Sequence, residues 1–276
     1  MTKKFVLITG CSSGIGYEVA HGLKKRGYSV FATARKADDV ARLQQEGLES
    51  LILDLNDSKS IHTAVESVLD KTNGRLYGLF NNAAYGLPGA VEDISRAALR
   101  EQFETNLFGT HELTCKILPI MREQGEGRII QNSSVLGFVA LSYRGAYNAS
   151  KFALEGLTDT LTLELANTNI KISLIEPGPI RSKFRANGYL MYKKHINAEQ
   201  SVHKDRYLKM EQRLLTEGDA APFTLPPEAV LKKVIHALES KNPKTRYYVT
   251  FPTYLFGYLK RILSDKMMNR ILKRVT

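Results

Sequence analysis

Apolar and polar positions follow two rhythms along this chain. Short, nearly continuous apolar runs, such as Phe5-Val6-Leu7-Ile8 and Ile172-Ser173-Leu174-Ile175, recur between longer stretches whose apolar residues return every three or four positions. The runs predict strands at 4–9, 29–33, 50–54, 76–81, 128–133, 171–175 and 247–250. The longer stretches predict helices at 14–26, 38–46, 58–72, 96–122 and 146–167. A strand that is apolar on consecutive positions buries both of its faces, which suits a parallel sheet covered on both sides. Strands alternating with helices make right-handed βαβ units. The expected fold is α/β: a doubly wound Rossmann sheet of seven parallel strands with helices on both faces. In such sheets ligands sit beyond the carboxyl ends of the strands, near the point where the winding reverses.

With 276 residues, 43% hydrophobic and 24% charged, the chain has the balance of an ordinary soluble globular protein. No Pro/Gly/Ser-rich linker or internal repeat divides it, so a single domain over residues 1–276 is expected. Two cysteines, Cys11 and Cys115, exclude a disulfide framework and a multi-cysteine zinc site. The six histidines show no metal-ligand spacing, and no metal is expected. The opening Met1-Thr2-Lys3-Lys4 leads directly into an apolar run too short for a signal peptide or a membrane span, so a cytoplasmic protein is expected. The formal net charge of +11 suits nucleic acid, an anionic membrane or a polyphosphate cofactor. No basic cluster is interleaved with stacking aromatics, and nucleic acid is not expected.

Thr9-Gly10-Cys11-Ser12-Ser13-Gly14-Ile15-Gly16 follows the first strand and opens the first helix. Glycines there permit a tight turn and close approach to a pyrophosphate, and the helix start offers unpaired N–H groups. Gly10, Ser12, Ser13, Gly14, Ile15 and Gly16 are therefore candidate dinucleotide-binding residues. The second strand ends in Ala32-Thr33-Ala34-Arg35-Lys36. An NAD-binding chain would be expected to carry an acid where Ala34 stands. Arg35, with Lys36, could hold a 2′-phosphate instead, so NADP(H) is the expected cofactor. Asp54-Leu55 could meet the adenine amino group, or Asp54 could simply make a turn.

Tyr147 and Lys151 stand four residues apart, which puts them on one helix face a turn apart; Ser134 lies thirteen residues before Tyr147. A phenol titrates near ~10, and a neighbouring ammonium favours the phenolate. Lowering that value by about three units takes about 4 kcal/mol of differential interaction. Such a tyrosine would serve as a general acid/base. By itself the spacing is common by chance and more often marks a plain surface helix.

The Thr9-Gly-x-x-x-Gly-x-Gly16 loop, Asn81-Asn82-Ala83-Ala84, Asn106, Ser134, Tyr147-x-x-x-Lys151 and Pro177-Gly178 resemble, in this order, the short-chain dehydrogenase/reductase family over residues 4 to 250. Ile175-Glu176-Pro177-Gly178-Pro179-Ile180-Arg181 and Lys244-Thr245-Arg246-Tyr247 are similar to its bacterial NADP-dependent aldehyde reductases, near the hydroxysteroid and retinol dehydrogenase branch. The resemblance implies that Tyr147 donates the proton in reduction and accepts it in oxidation. It implies that Lys151 depresses the phenol and bonds the nicotinamide ribose, and that Ser134 binds the substrate carbonyl. Asn106 would hold a water linking Lys151 to solvent. Asn82 and Ala83 would lie on the adenosine side of the cleft, Pro177 and Gly178 near the nicotinamide, and Ser182 near its carboxamide. Ala84 departs from the family's usual glycine, which would bring strain if that position had a positive φ. Tyr143 has Tyr147, not a lysine, four residues after it, and either lines the pocket or packs outside it.

Residues 182–225 are long for a plain connection and suggest a helical substrate lid. Phe184, Tyr189, Leu190, Met191 and Tyr192, with Tyr85, Leu87, Leu136, Phe138 and Val139, suggest an apolar pocket. Residues 255–276 read as a basic amphipathic helix. It could cover its own domain, meet a subunit of a homodimer or homotetramer, or lie on an anionic membrane. The expected activity is NADP(H)-dependent reduction of apolar aldehydes or ketones, with alcohols oxidised in reverse. The alternatives are a non-catalytic NADPH-binding sensor and a membrane-associated retinoid- or steroid-type dehydrogenase.

Overall fold

The computed structural model describes residues 4–219 and 221–275. Strands β1 (Phe5–Ile8), β2 (Ser29–Ala34), β3 (Glu49–Ile52), β4 (Gly78–Asn81), β5 (Gly127–Asn132), β6 (Ile170–Glu176) and β7 (Arg246–Tyr248) form one sheet in the order β3-β2-β1-β4-β5-β6-β7. Every neighbouring pair is parallel. The winding reverses between β1 and β4, which makes their carboxyl ends the natural ligand crevice.

Helices α1 (Gly14–Lys25), α2 (Ala37–Gln45), α3 (Ser58–Thr72), α4 (Arg96–Phe103), α5 (Gly109–Glu123), α6 (Gly145–Glu164), α7 (Phe184–His195), α8 (Lys204–Leu215), α9 (Glu228–Glu239), α10 (Phe251–Ile262) and α11 (Asp265–Val275) complete the chain. Consecutive strand residues feed two different cores. Val6, Ile8, Phe80 and Ile130 pack with α1, α2 and α9, whereas Leu7, Leu79 and Ile129 pack with α3 and α5. That division explains the continuous apolar runs.

Three elements differ from the sequence expectation. Residues 96–122 do not form one helix: α4 passes through a π turn, Glu104–Phe108, into α5. A π turn adds a residue to a helical turn without ending the helix, so periodicity does not announce it. Gly109 follows directly, and a Cβ there would sit 1.9 Å from the Leu55 carbonyl oxygen, so α5 can begin against that loop only on a glycine. The last strand ends at Tyr248 because Thr250 is already the N-cap of α10. The C-terminal segment is two helices, α10 and α11, broken where Leu263 is extended.

Within residues 182–225, α7 and α8 pair through Tyr192, Ile196, Tyr207, Met210 and Leu214 and pack onto Leu87, Ala90, Ala98 and Ala146. α11 lies on its own domain: Met268, Ile271 and Leu272 join Phe256 and Leu259 of α10 against residues 135–141.

Candidate active site

The loop after β1 turns with Gly10 at φ +72° and Gly14 at φ +61°, left-handed values that favour glycine. A Cβ on Gly10 would lie 2.8 Å from Ala83 Cα, and one on Gly16 would lie 2.3 Å from the Gly10 carbonyl oxygen. Side chains at these positions would close the cradle. Ser13, the N-cap of α1, makes no side-chain capping bond, and the first turn carries no acid. The first N–H groups of α1 thus suit an anion. Ile15 packs beneath, against the α1–α9 core. Beside the loop, Arg42 donates from Nη2 to the Ser12 carbonyl at 2.7 Å. This guanidinium was not visible in any motif.

Asn82, just after β4, ties strand ends together. Its Nδ2 donates to the carbonyls of Thr9 (2.9 Å) and Gly10 (3.2 Å), and its Oδ1 accepts from Asn132 Nδ2 (2.9 Å). The Thr9 hydroxyl accepts from the N–H groups of Asn82 and Ala83. Ala84 has no left-handed φ, so its methyl brings no backbone strain. Asp54 Oδ1 accepts from the Asn56 N–H at 3.0 Å, as a turn aspartate does, and Leu55 is buried in the α3–α5 core. Arg35 and Lys36 are exposed and carry no ion pair among the described residues. Burial raises the Tyr85 phenol and Glu101 adds to the shift, while Arg35 opposes it.

Pro177 and Gly178 follow β6. The Pro177 carbonyl accepts from the Val135 N–H at 2.8 Å, and a Cβ on Gly178 would meet Thr250 Oγ1 at 2.2 Å. Ser182 lies over Gly14, where a Cβ would sit 2.8 Å from Ser182 Cβ.

Ser134, at the end of β5, and Tyr147 and Lys151, in the first turns of α6, are brought together and buried. Lys151 Nζ donates to the Asn132 carbonyl at 2.7 Å and lies 5.8 Å from the Tyr147 ring centre. Burial pushes the Tyr147 phenol up to about 12, against a hydrogen bond with Ser134 that lowers it. Burial also brings the Lys151 ammonium down to about 8, with Glu155 opposing. Burial is the largest influence on both groups, because the low-dielectric setting disfavours charge on each. The Phe184 ring meets the Tyr147 ring edge-on at 5.3 Å, in a gap that Gly86 leaves open.

The expected apolar wall divides. Phe184 touches Tyr147, while Tyr192 and Leu87 belong to the α7–α8 core, Leu136, Phe138 and Val139 pack under α10 and α11, and Leu190 is exposed. Tyr143, at φ +59°, packs outside, with its hydroxyl 3.2 Å from His203 Nδ1.

Asn106 sits in the π turn. Its Nδ2 donates to the Tyr85 carbonyl (2.9 Å) and to Ser150 Oγ (3.0 Å), and its Oδ1 accepts from the Tyr85 N–H (3.1 Å). Ser150 Oγ in turn donates to the Tyr147 carbonyl at 2.8 Å. These bonds fasten α6 to the segment after β4.

A second cluster was missed. Glu155, one turn beyond Lys151, accepts from Ser133 Oγ and from Arg246 Nη1 at 2.7 Å. Arg246 also bonds Asp159 and lies 3.4 Å from Glu176 Oε1. Burial beside the Glu155 carboxylate raises Glu176 and keeps it protonated. The signal was present in the Tyr147, Lys151, Glu155 spacing and in the acid before Pro177, but neither identifies a counter-charge until β6 and β7 bring the groups together.

The family model described as short chain dehydrogenase matches residues 4–192. The chain is 46% identical over 271 residues to the uncharacterized oxidoreductase YbbO of Escherichia coli (strain K12), covering 98% of this chain and 94% of that protein. It is 35% identical over 255 residues to retinol dehydrogenase 8 of Homo sapiens, covering 87% and 79%. The crystal structure of a short-chain dehydrogenase from Streptomyces avermitilis superposes with a TM-score of 0.77 at 27% identity, covering 100% of this chain and 98% of that one.

With Lys151 charged below about 8, turnover that needs its ammonium falls as pH rises through that value. Glu155→Gln removes the opposing carboxylate and should move this alkaline limb to lower pH by about one unit. Glu176→Gln replaces an already neutral carboxyl and should leave the limb in place. The pH profiles of kcat/KM for the two variants check this; equal shifts in both would assign the charge wrongly.

Proposed function

The chain belongs to the short-chain dehydrogenase family and is an oxidoreductase of that family; from that premise we propose that it reduces apolar aldehydes and ketones with NADPH and oxidises the matching alcohols in reverse. The observation that carries this reading is the burial of Ser134, Tyr147 and Lys151 together, with Ser134 bonded to the phenol and Lys151 5.8 Å from its ring centre, beside a glycine cradle that opens a helix.

When bound, the nicotinamide supplies the hydride. The Gly10–Gly16 backbone and the start of α1 would hold the pyrophosphate, and Arg35 with Lys36 the 2′-phosphate. Pro177, Gly178 and Ser182 would flank the nicotinamide half. Tyr147 is neutral at physiological pH, as an ordinary phenol is, and burial raises it further, so it holds the proton that a carbonyl oxygen takes up. The Ser134 hydroxyl gives that oxygen a second hydrogen bond and sets its angle. Lys151, near 8, titrates close enough to neutrality to exchange protons with the tyrosine. The bonds of Asn106 support a positioning role, acting on Tyr147 through Ser150. The Phe184 edge against Tyr147 and the likeness to a retinol dehydrogenase support an apolar substrate.

Tyr147→Phe keeps the ring against Phe184 and removes the transferable proton. Its kcat for NADPH-dependent carbonyl reduction should fall about 100- to 10,000-fold, while NADPH affinity by fluorescence titration stays nearly unchanged. Full turnover would overturn the acid role. Arg35→Asp should lower kcat/KM for NADPH by about 10- to 100-fold, as expected for a lost charge-assisted contact, and raise relative use of NADH. An unchanged cofactor ratio would refute the phosphate role.

A further inference from the structure

α10 buries one face and leaves a second apolar face open. Thr253, Phe256 and Gly257 pack inward, Gly257 closely against the Tyr248 ring. Phe251, Tyr254, Leu255, Tyr258 and Ile262 recur at helical spacing on the other side and are exposed, Phe251 to 57%, Tyr258 to 58% and Ile262 to 79%. Phe223 extends the patch: it adopts φ +60°, unfavourable for a bulky residue, and holds its ring 4.9 Å from Phe251. A helix apolar on both sides has one side unaccounted for by its own domain.

The charge around this face is mostly positive, with Asp265 the acid of α11. Arg261 lies three residues past Tyr258, on the same face. Across the break, α11 turns Met268 and Leu272 inward and leaves Lys266, Arg270, Lys273 and Arg274 exposed. These five cations have no carboxylate partner among the described residues, whereas Arg26, Arg181, Lys194 and Arg246 are each ion-paired. A two-fold contact through this face would bring both copies' unpaired cations toward each other. A partner that offers apolar depth and negative charge together removes that conflict. Among the described residues, no helix is long and apolar enough to cross a membrane, so insertion across one is not the alternative.

We propose that the open face of α10, with Phe223 and the cations of α11, docks the protein on an anionic phospholipid surface. The aromatic and aliphatic side chains enter the interface while Arg261, Lys266, Arg270, Lys273 and Arg274 meet lipid phosphates and carboxylates. On their inner side α10 and α11 rest on residues 135–141, the segment that follows Ser134.

Co-sedimentation of the full chain with phosphatidylcholine vesicles, with and without phosphatidylserine, tests this. Binding should need phosphatidylserine and weaken at least about tenfold when salt is raised. Leu255→Asp combined with Tyr258→Asp, and separately Lys266→Glu combined with Arg270→Glu, should each lower binding at least about tenfold. Circular dichroism checks their fold, and Ile262→Asp serves if the paired change does not fold. Sedimentation velocity without lipid is run in parallel. Absence of wild-type binding, or variants that bind as well as wild type, would overturn the proposal. So would a Leu255/Tyr258 variant whose oligomeric state changes while its vesicle binding does not, because the face would then cover a second copy.

Discussion

A buried ammonium sets the terms for everything around it. Lys151 is 3% exposed and donates to the Asn132 carbonyl. Taking such a group out of water costs several kcal/mol, and a carboxylate nearby is the usual compensation. Glu155 provides it from the next turn of α6, but Glu155 is itself buried and needs Ser133 and Arg246. Arg246 in turn faces three carboxyl groups, and Glu176 is held neutral, which limits the repulsion among them. A line of compensation therefore runs from α6 behind the candidate site to β7. The same low dielectric raises the Tyr147 phenol, so one physical cause shifts both groups, each toward its neutral form.

The sheet supplies the positions. Parallel strands deliver their carboxyl ends to one edge, so Gly10, Asn82, Ser134 and Pro177 arrive together from β1, β4, β5 and β6. Two asparagines hold these ends in register. Asn82 binds the carbonyls of Thr9 and Gly10 to Asn132, and Asn106 binds the Tyr85 backbone to Ser150. Both side chains act on backbone geometry at the strand ends.

Much of this was legible in the residues alone. Apolar runs that bury two faces mark a parallel sheet, and the Tyr147–Lys151 spacing marks one helix face; both are local properties. The π turn was not legible, because adding a residue leaves the apolar repeat of 96–122 readable as one helix. The break between α10 and α11 escaped for the same reason, since amphipathic spacing continues across Leu263. The Glu155–Arg246–Glu176 cluster depends on β6 and β7 lying side by side, which no local pattern states. Proximity of Tyr147 to a lysine is visible in a sequence, whereas the depth of burial that raises the phenol is not.

The most direct test of this account is an NMR titration of the Lys151 side chain, with selective labelling and Lys151→Met to assign the resonance. A midpoint near 8, as burial dictates, is the predicted result. A midpoint near the ordinary lysine value of about 10.4 would contradict the claim that burial, opposed by Glu155, governs the site.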